Sequence, residues 1–306
     1  MRTSLLAFSL FFIAQNVLAQ DLALNWKPEP EFGGFYEALF SGLYQNSKLK
    51  INILPGGAGQ PVTQMVAAKK VKYGIAAADE VILARAQGAK VVALFAVYQD
   101  DPQGFMVRPE RKFKSLKDLF QSEGTIAMQK GLPFTLWLER KYAPIKAKLV
   151  PYSGGISSFI RDPRFSQQCF VTSEPLAAKK QNLNPQTFLV SESGFNPYLT
   201  VLIAHEDTLK EDAVGVKSFL DATRKGWAAY LAHPENTNQA MQKLNSTLDL
   251  ATFNEVSQVQ KKFIETPETL KKGLGSMNKE RWTTLYDQLL QMGLVKSGML
   301  PTDFFK

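Results

Sequence analysis

Residues 73–97 read YGIAAADEVILARAQGAKVVALFAV, and this stretch decides the fold. Tyr73–Ala77 is a short apolar run of strand length. Glu80–Gln87 follows as an amphipathic helix, and Val91–Val97 is an unbroken apolar strand suited to burial on both faces. A strand, a helix and a second buried strand make a βαβ rhythm, which builds a mainly parallel sheet covered by helices.

The rhythm extends both ways. Upstream, Asp21–Trp26 reads as a strand, Gly34–Asn46 as a helix, Lys50–Leu54 as a strand and Pro61–Lys69 as a helix. Downstream of a polar stretch at Asp100–Gln103 come strands at Thr125–Met128, Lys148–Tyr152, Cys169–Thr172 and Thr187–Val190. Helices Pro133–Tyr142, Ile156–Arg161 and Pro175–Gln181 alternate with them. Leu199–Ala204 is the last clear strand. Helices at Val214–Ala232, Thr237–Leu244, Ala251–Phe263 and Lys279–Met292 complete the chain.

Two polar, turn-rich crossings, Tyr98–Gly104 and Ser191–Pro197, bracket a compact α/β unit. The expected layout is two lobes, one from residues 20–100 and 199–306, the other from 101–198, with a cleft between them. Ligands of open α/β sheets bind at the carboxyl ends of the strands. Here two sets of such ends would face one another.

The beginning of the chain reads as an export signal: Arg2 supplies a positive charge, Leu5–Ile13 is apolar but for Ser9, and Val17-Leu18-Ala19 offers a cleavage site. The apolar run is too short for the ~20 residues that span a bilayer. Residues 1–19 are therefore expected to be removed. The single cysteine, Cys169, excludes an internal disulfide and a cysteine-cluster metal site, and it lies far from where a lipid anchor would need it. The expected location is the periplasm, without a lipid anchor. The formal charge of +8, or +7 once Arg2 is removed, is spread over helix faces such as Lys261-Lys262 and carries no nucleic-acid motif.

The candidate site residues lie in the loops that follow strands. Asn25 and Trp26 end the first strand against a Pro/Gly loop, where the indole either packs in a core or offers a flat face for stacking. Tyr36 follows in the same region. Gly56 and Gly57, in Pro55–Pro61, either make a simple turn or let backbone N–H groups approach a ligand at a helix N-terminus. Asp79 suits a helix cap better than a ligand contact. Tyr98 and Gln99 stand at the first crossing, Gly131 at another strand-to-helix loop and Tyr198 at the second crossing. Glu174 either caps the following helix or accepts two N–H bonds from an amino-substituted heterocycle.

These pieces resemble a known family. Leu24-Asn25-Trp26-x-Pro28 with Gly34-Phe35-Tyr36, Pro55-Gly56-Gly57, Tyr73 to Asp79, Leu83 to Gly88, Val91 to Leu94, Glu174-Pro175 and Asn196-Pro197-Tyr198 are similar to the thiamine-pyrimidine-precursor-binding (ThiY-type) branch of the periplasmic binding proteins. Sulfonate and nitrate binders and the yeast-type thiamine pyrimidine synthase are relatives. The resemblance implies a type II two-lobed fold that closes on its ligand and serves an ABC importer permease in the inner membrane. It implies a formylaminopyrimidine or hydroxymethylpyrimidine ligand stacked on Trp26 and bonded to Glu174, with Tyr36 and Tyr98 as further candidates. The histidine that relatives often carry in the first loop is absent, and Phe32-Gly33 stands there. Riboflavin or a sulfonate- or nitrate-type anion are the alternative ligands.

A pyrimidine synthase is the enzymatic alternative. The resemblance implies that this chemistry needs a cleft histidine and a cysteine-rich iron-binding segment. Only His205 and His233 are present, each placed for local structure, beside one cysteine. No nucleophile elbow and no His-x-x-x-His pair occurs. The expectation is a monomeric binding protein with no catalytic residues, no metal and no cofactor.

Overall fold

The computed structural model describes residues 19–306. Nearly all of the export-signal reading falls on residues 1–18, outside the described residues.

Two five-stranded sheets organise the chain. The first contains β1 (Gln20–Ala23), β2 (Ile51–Leu54), β3 (Tyr73–Ala76), β4 (Val91–Tyr98) and, much later, β10 (Leu199–His205), in the order β2-β1-β3-β10-β4. The second contains β5 (Gln103–Val107), β6 (Thr125–Met128), β7 (Lys148–Pro151), β8 (Phe165–Phe170) and β9 (Gln186–Leu189), in the order β7-β6-β8-β5-β9. β1 pairs in parallel with β2 and β3, as β6 does with β7 and β8. One strand in each sheet is reversed: β10 against β3 and β4, β5 against β8 and β9. Each reversed strand is the one that enters directly from a crossing. The fold is α/β with two mixed, mainly parallel sheets, as the βαβ rhythm predicts.

Burial explains the apolar runs. Every residue of β4 is buried, as expected for a strand covered on both faces. One face packs under helix Ala213–Ala232 through Phe219 and Trp227, the other against Val62, Ile82 and Leu289. Helix Gly33–Phe40 lies unusually close to helix Ala213–Ala232. A Cβ on Gly33 would sit 2.1 Å from the Tyr230 ring, and one on Gly34 2.2 Å from the Trp227 ring. The paired glycines thus serve helix packing. The outer edge of β4 is closed by the end of the chain, where Ala93 donates to Phe304 O (2.8 Å) and accepts from Lys306 N–H (3.0 Å), so no long edge is left unpaired there.

Several boundaries differ from the sequence reading. The first strand ends at Ala23 rather than Trp26, because Asn25 and Trp26 turn away into the proline-bearing loop. The expected helix Gly34–Asn46 is two pieces, Gly33–Phe40 and Leu43–Asn46, divided at Gly42 with φ +73°. β5 and the helices Leu116–Gln121, Glu206–Glu211 and Pro267–Lys272 were not anticipated. β8 runs over Phe165–Phe170 rather than Cys169–Thr172.

The two crossings are tied to each other. Asn196 Oδ1 accepts from Asp101 N–H (2.9 Å), and its Nδ2 donates to Asp100 Oδ1 (2.9 Å). Arg281 Nε donates to Asn196 O (2.9 Å), and its guanidinium lies 4.3 Å from the centre of the Tyr198 ring.

Candidate ligand-binding site

A cavity of about 420 Å³ opens between the carboxyl-end loops of the two sheets. That size is within the ~300–1,000 Å³ of small-molecule sites. Its first wall comes from the loop after β1 and from β4: Asn25, Trp26, Glu29, Glu31 and Tyr98. Trp26 is 39 % exposed, which leaves an indole face open to the cavity. Its loop is held in place from behind, since Gly56 N–H donates to Trp26 O (2.9 Å). A Cβ on Gly56 would meet Leu24 O at 2.0 Å, so the close approach of these loops requires glycine.

The second wall comes from the second sheet: Gln103, Gln129, Tyr152, Gln168, Thr172 and Glu174. Glu174 opens helix Glu174–Lys180. Its carboxylate accepts from Tyr152 OH (2.6 Å) and Phe170 N–H (2.9 Å). Burial raises its pKa against the pull of these bonds. Gln129 and Gln168 bind each other reciprocally, Gln129 N–H to Gln168 Oε1 (2.6 Å) and Gln168 Nε2 to Gln129 Oε1 (2.9 Å).

The first-wall carboxyls are held differently. Asn245 Nδ2 reaches Glu29 Oε1 at 3.3 Å, and burial pushes the Glu29 pKa up to about 7 despite hydrogen bonding from Trp26 and Asn245. Glu31 has no hydrogen-bond donor among the described residues. Burial, then the charge of Glu29, pushes its pKa up to about 8.

Of the residues singled out in the sequence, Asn25, Trp26, Tyr98 and Glu174 come together on this cavity, and the others lie elsewhere. Tyr36 is buried in helix Gly33–Phe40 and stacks on Phe40. Gly56 supports the Trp26 loop, and Gly57 faces open space. Gln99 is buried behind the crossing and donates to Ala96 O and Ser276 O. Gly131 sits in a turn at φ +88° before helix Pro133–Lys141. Tyr198 turns towards the core, where its hydroxyl accepts from Asn278 N–H (3.1 Å). Asp79 is not the helix cap it was expected to be. Helix Ala78–Ala86 is capped by Glu80, whose carboxylate accepts from Ala77 N–H (2.8 Å). Asp79 is buried in that first turn, and burial pushes its pKa up to about 7.

The wall residues not among the sequence candidates are Glu29, Glu31, Tyr152, Thr172 and the three glutamines. Glutamine carries no positional signature, and Glu29 lay hidden between Pro28 and Pro30. Among the described residues no group of three or more metal-ligating side chains occurs, and no helix is long and apolar enough to cross a membrane.

Comparison with known proteins agrees with this architecture. Over 311 aligned positions, covering 93 % of this chain and 84 % of the other, it is 23 % identical to the riboflavin-binding protein RibY of Chloroflexus aurantiacus. Among solved structures it resembles the periplasmic aliphatic sulphonate-binding protein SsuA of Escherichia coli (TM-score 0.68, 14 % identity, 93 % of this chain and 91 % of that one). It also resembles a putative periplasmic sulfonate-binding protein SsuA of Methylobacillus flagellatus (TM-score 0.67, 12 % identity, 95 % and 92 %). At such identities these structures establish the two-lobed periplasmic-binding-protein fold and not the ligand. The family model described as NMT1/THI5 like matches residues 29–237, more than half of the sequence and most of both cleft walls, and the chain belongs to the NMT1/THI5-like family.

Proposed function

We propose that this chain is the periplasmic solute-binding component of an ABC importer, and that it holds a small planar heterocycle in the cleft between its sheets. The observation that carries this reading is the open Trp26 face set across one cavity from the anchored carboxylate of Glu174. A flat ring stacks on the indole, and its N–H groups reach Glu174 from the other side. A thiamine pyrimidine precursor of the formylaminopyrimidine or hydroxymethylpyrimidine type presents such an edge and is the first ligand proposed. Riboflavin is the second, favoured by the likeness to RibY and by a cavity with room for more than one fused ring.

The chain acts as a monomer by closure. Residues 20–100 with 199–306, and 101–198, move about the two crossings, and the closed form is the one a permease recognises. Turnover has no part in this reading.

The test is a thermal-shift screen of residues 20–306 against thiamine and its pyrimidine precursors, riboflavin, nucleobases and sulfonates. A ligand that binds only the folded state raises the melting temperature. The expected result is a clear shift with one heterocycle that disappears in Trp26→Ala. A shift that survives Trp26→Ala unchanged places the ligand elsewhere.

A further inference from the structure

The charge of the cavity differs from that of the molecule. The chain carries a formal +8, yet among the described residues no lysine, arginine or histidine lines the cleft, whereas Glu29, Glu31 and Glu174 all do. Lys27 acts on Glu29 only from an exposed position outside the lining. The remaining charged or titratable neighbours of the pair are Glu174, facing Glu29, and Tyr98, facing Glu31. Asn245 gives Glu29 one long hydrogen bond, and no described residue gives Glu31 any. A sheltered carboxyl without a protein donor calls for one from the ligand. Once ionised, above about pH 8 for Glu31, such a carboxyl meets an anionic group with like charge where water screens poorly.

Resting on the reading of this cleft as the ligand site, we propose that it is selective against anions. The ligand turns a neutral hydrogen-bond-donating or cationic edge towards Glu29 and Glu31, and phosphorylated or sulfonated forms of the same ring are refused. Glu31 is the specificity-determining residue, because it alone of the three carboxyls finds no donor among the described residues. Trp26 sets the ring plane for either form of the ring, and the Glu29–Glu31 side decides which form remains. Sulfonate- and nitrate-type ligands drop out on the same ground.

Two measurements test this. In the first, calorimetry at about pH 9, where both carboxyls are ionised, compares riboflavin with flavin mononucleotide, and hydroxymethylpyrimidine with its monophosphate, on wild type and Glu31→Gln. The unphosphorylated member of the binding pair should be at least ~tenfold tighter, with the gap narrowed in Glu31→Gln. Equal or tighter binding of the phosphorylated member overturns the inference and leaves the cleft reading standing.

The second measurement needs no ligand. Trp227 and Trp282 are 0 % and 1 % exposed, so in a Trp137→Phe background collisional quenching reports on Trp26. At about pH 9, above the values near 7 and 8 of Glu29 and Glu31, caesium should quench more steeply than iodide once each is scaled to its quenching of free N-acetyltryptophanamide. The asymmetry should shrink in Glu29→Gln/Glu31→Gln. Scaled iodide quenching as steep as scaled caesium quenching overturns the inference. If neither ring pair binds but the asymmetry is present and carboxylate-dependent, the charge selectivity stands and the planar-heterocycle reading falls.

Discussion

The two walls of the cleft meet the same ligand space with opposite preparation. On the second wall the polar groups answer one another: Glu174 is fixed by Tyr152 and Phe170, and Gln129 and Gln168 share two hydrogen bonds. On the first wall an open indole stands beside two carboxyls, one held by that indole and a long bond from Asn245 and one with no donor among the described residues. One wall is preorganised and the other is incomplete. A preorganised group costs little to use on binding, whereas an incomplete one gains most from the right partner and loses most from the wrong one. Orientation therefore belongs to the second wall and discrimination to the first.

The largest expected effect sharpens this division. Glu174→Gln keeps the shape but replaces one accepting oxygen with an amide nitrogen, leaving Tyr152 OH or Phe170 N–H without its acceptor and the ligand without a charged one. Charge-assisted bonds contribute ~1.5–3 kcal/mol, so the Kd for the heterocycle should rise at least ~tenfold, with Tyr152→Phe giving a smaller rise in the same direction. Titration calorimetry decides it. Unchanged affinity in Glu174→Gln would break the assignment of orientation to this wall.

A middling effect concerns pH and the unliganded protein. Glu29 and Glu31 have folded-state pKa values of about 7 and 8, above the ~4.3 of a free glutamate. The folded chain holds these protons more tightly than the unfolded chain. Their contribution to stability is complete below about pH 4 and is lost as pH rises through 7 and 8. Buried Asp79 and Asp101, each pushed up to about 7, act in the same sense. The melting temperature without ligand should fall by a few degrees from about pH 5 to pH 8.5, and Glu31→Gln should flatten the upper part of that slope. An unaltered slope in the variant would show that Glu31 is not sheltered as described.

The smallest effect lies at the mouth. Lys180, on the helix that begins with Glu174, reaches Asp249 Oδ2 (3.2 Å) and Thr252 Oγ1 at the start of helix Leu250–Ile264. Among the described ion pairs it is the one that joins the second sheet's helices to the first's. Both side chains are substantially exposed, and such pairs contribute little. Lys180→Ala should weaken binding by no more than about fivefold, through faster release, and high salt should erase the difference. A larger loss in stopped-flow release experiments would mean that closure depends on this bridge as much as on the walls.

Most of the architecture was legible because apolar runs such as Val91–Tyr98 report burial directly. What escaped was polar and buried. β8 contains Ser166, Gln167 and Gln168, which read as loop, yet all three are buried, and Gln168 ends facing the cleft. β5 opens with Gln103-Gly104, which continue the polar crossing in composition while already paired to β8. In the candidate site, Trp26 and Glu174 were visible because each follows an apolar run and stands just before a proline-bearing loop or helix start. Gly56 and Tyr36 shared the motifs but support the cleft from behind. Sequence shows that a residue belongs to a loop; only the packing shows which side of the loop it serves.

The identical strand order of the two sheets also bears on how the chain assembles during synthesis. The second sheet is made from one uninterrupted stretch, β5 to β9, and can close as soon as that stretch exists. The first cannot, because β10 lies between β3 and β4 and is the last strand to be made. Until it arrives, β4 has no neighbour on that side, and a chain stopped short of His205 exposes an apolar edge prone to association. Folding of the intervening unit removes most of the search. With Asp101 and Asn196 hydrogen-bonded at its two ends, Leu199 is delivered opposite Tyr98, its partner in register. A long loop closure becomes a short one. The inserted unit is thus expected to act as the template on which the older sheet is completed, and a lesion at the crossings should delay maturation of the chain more than it weakens the finished protein.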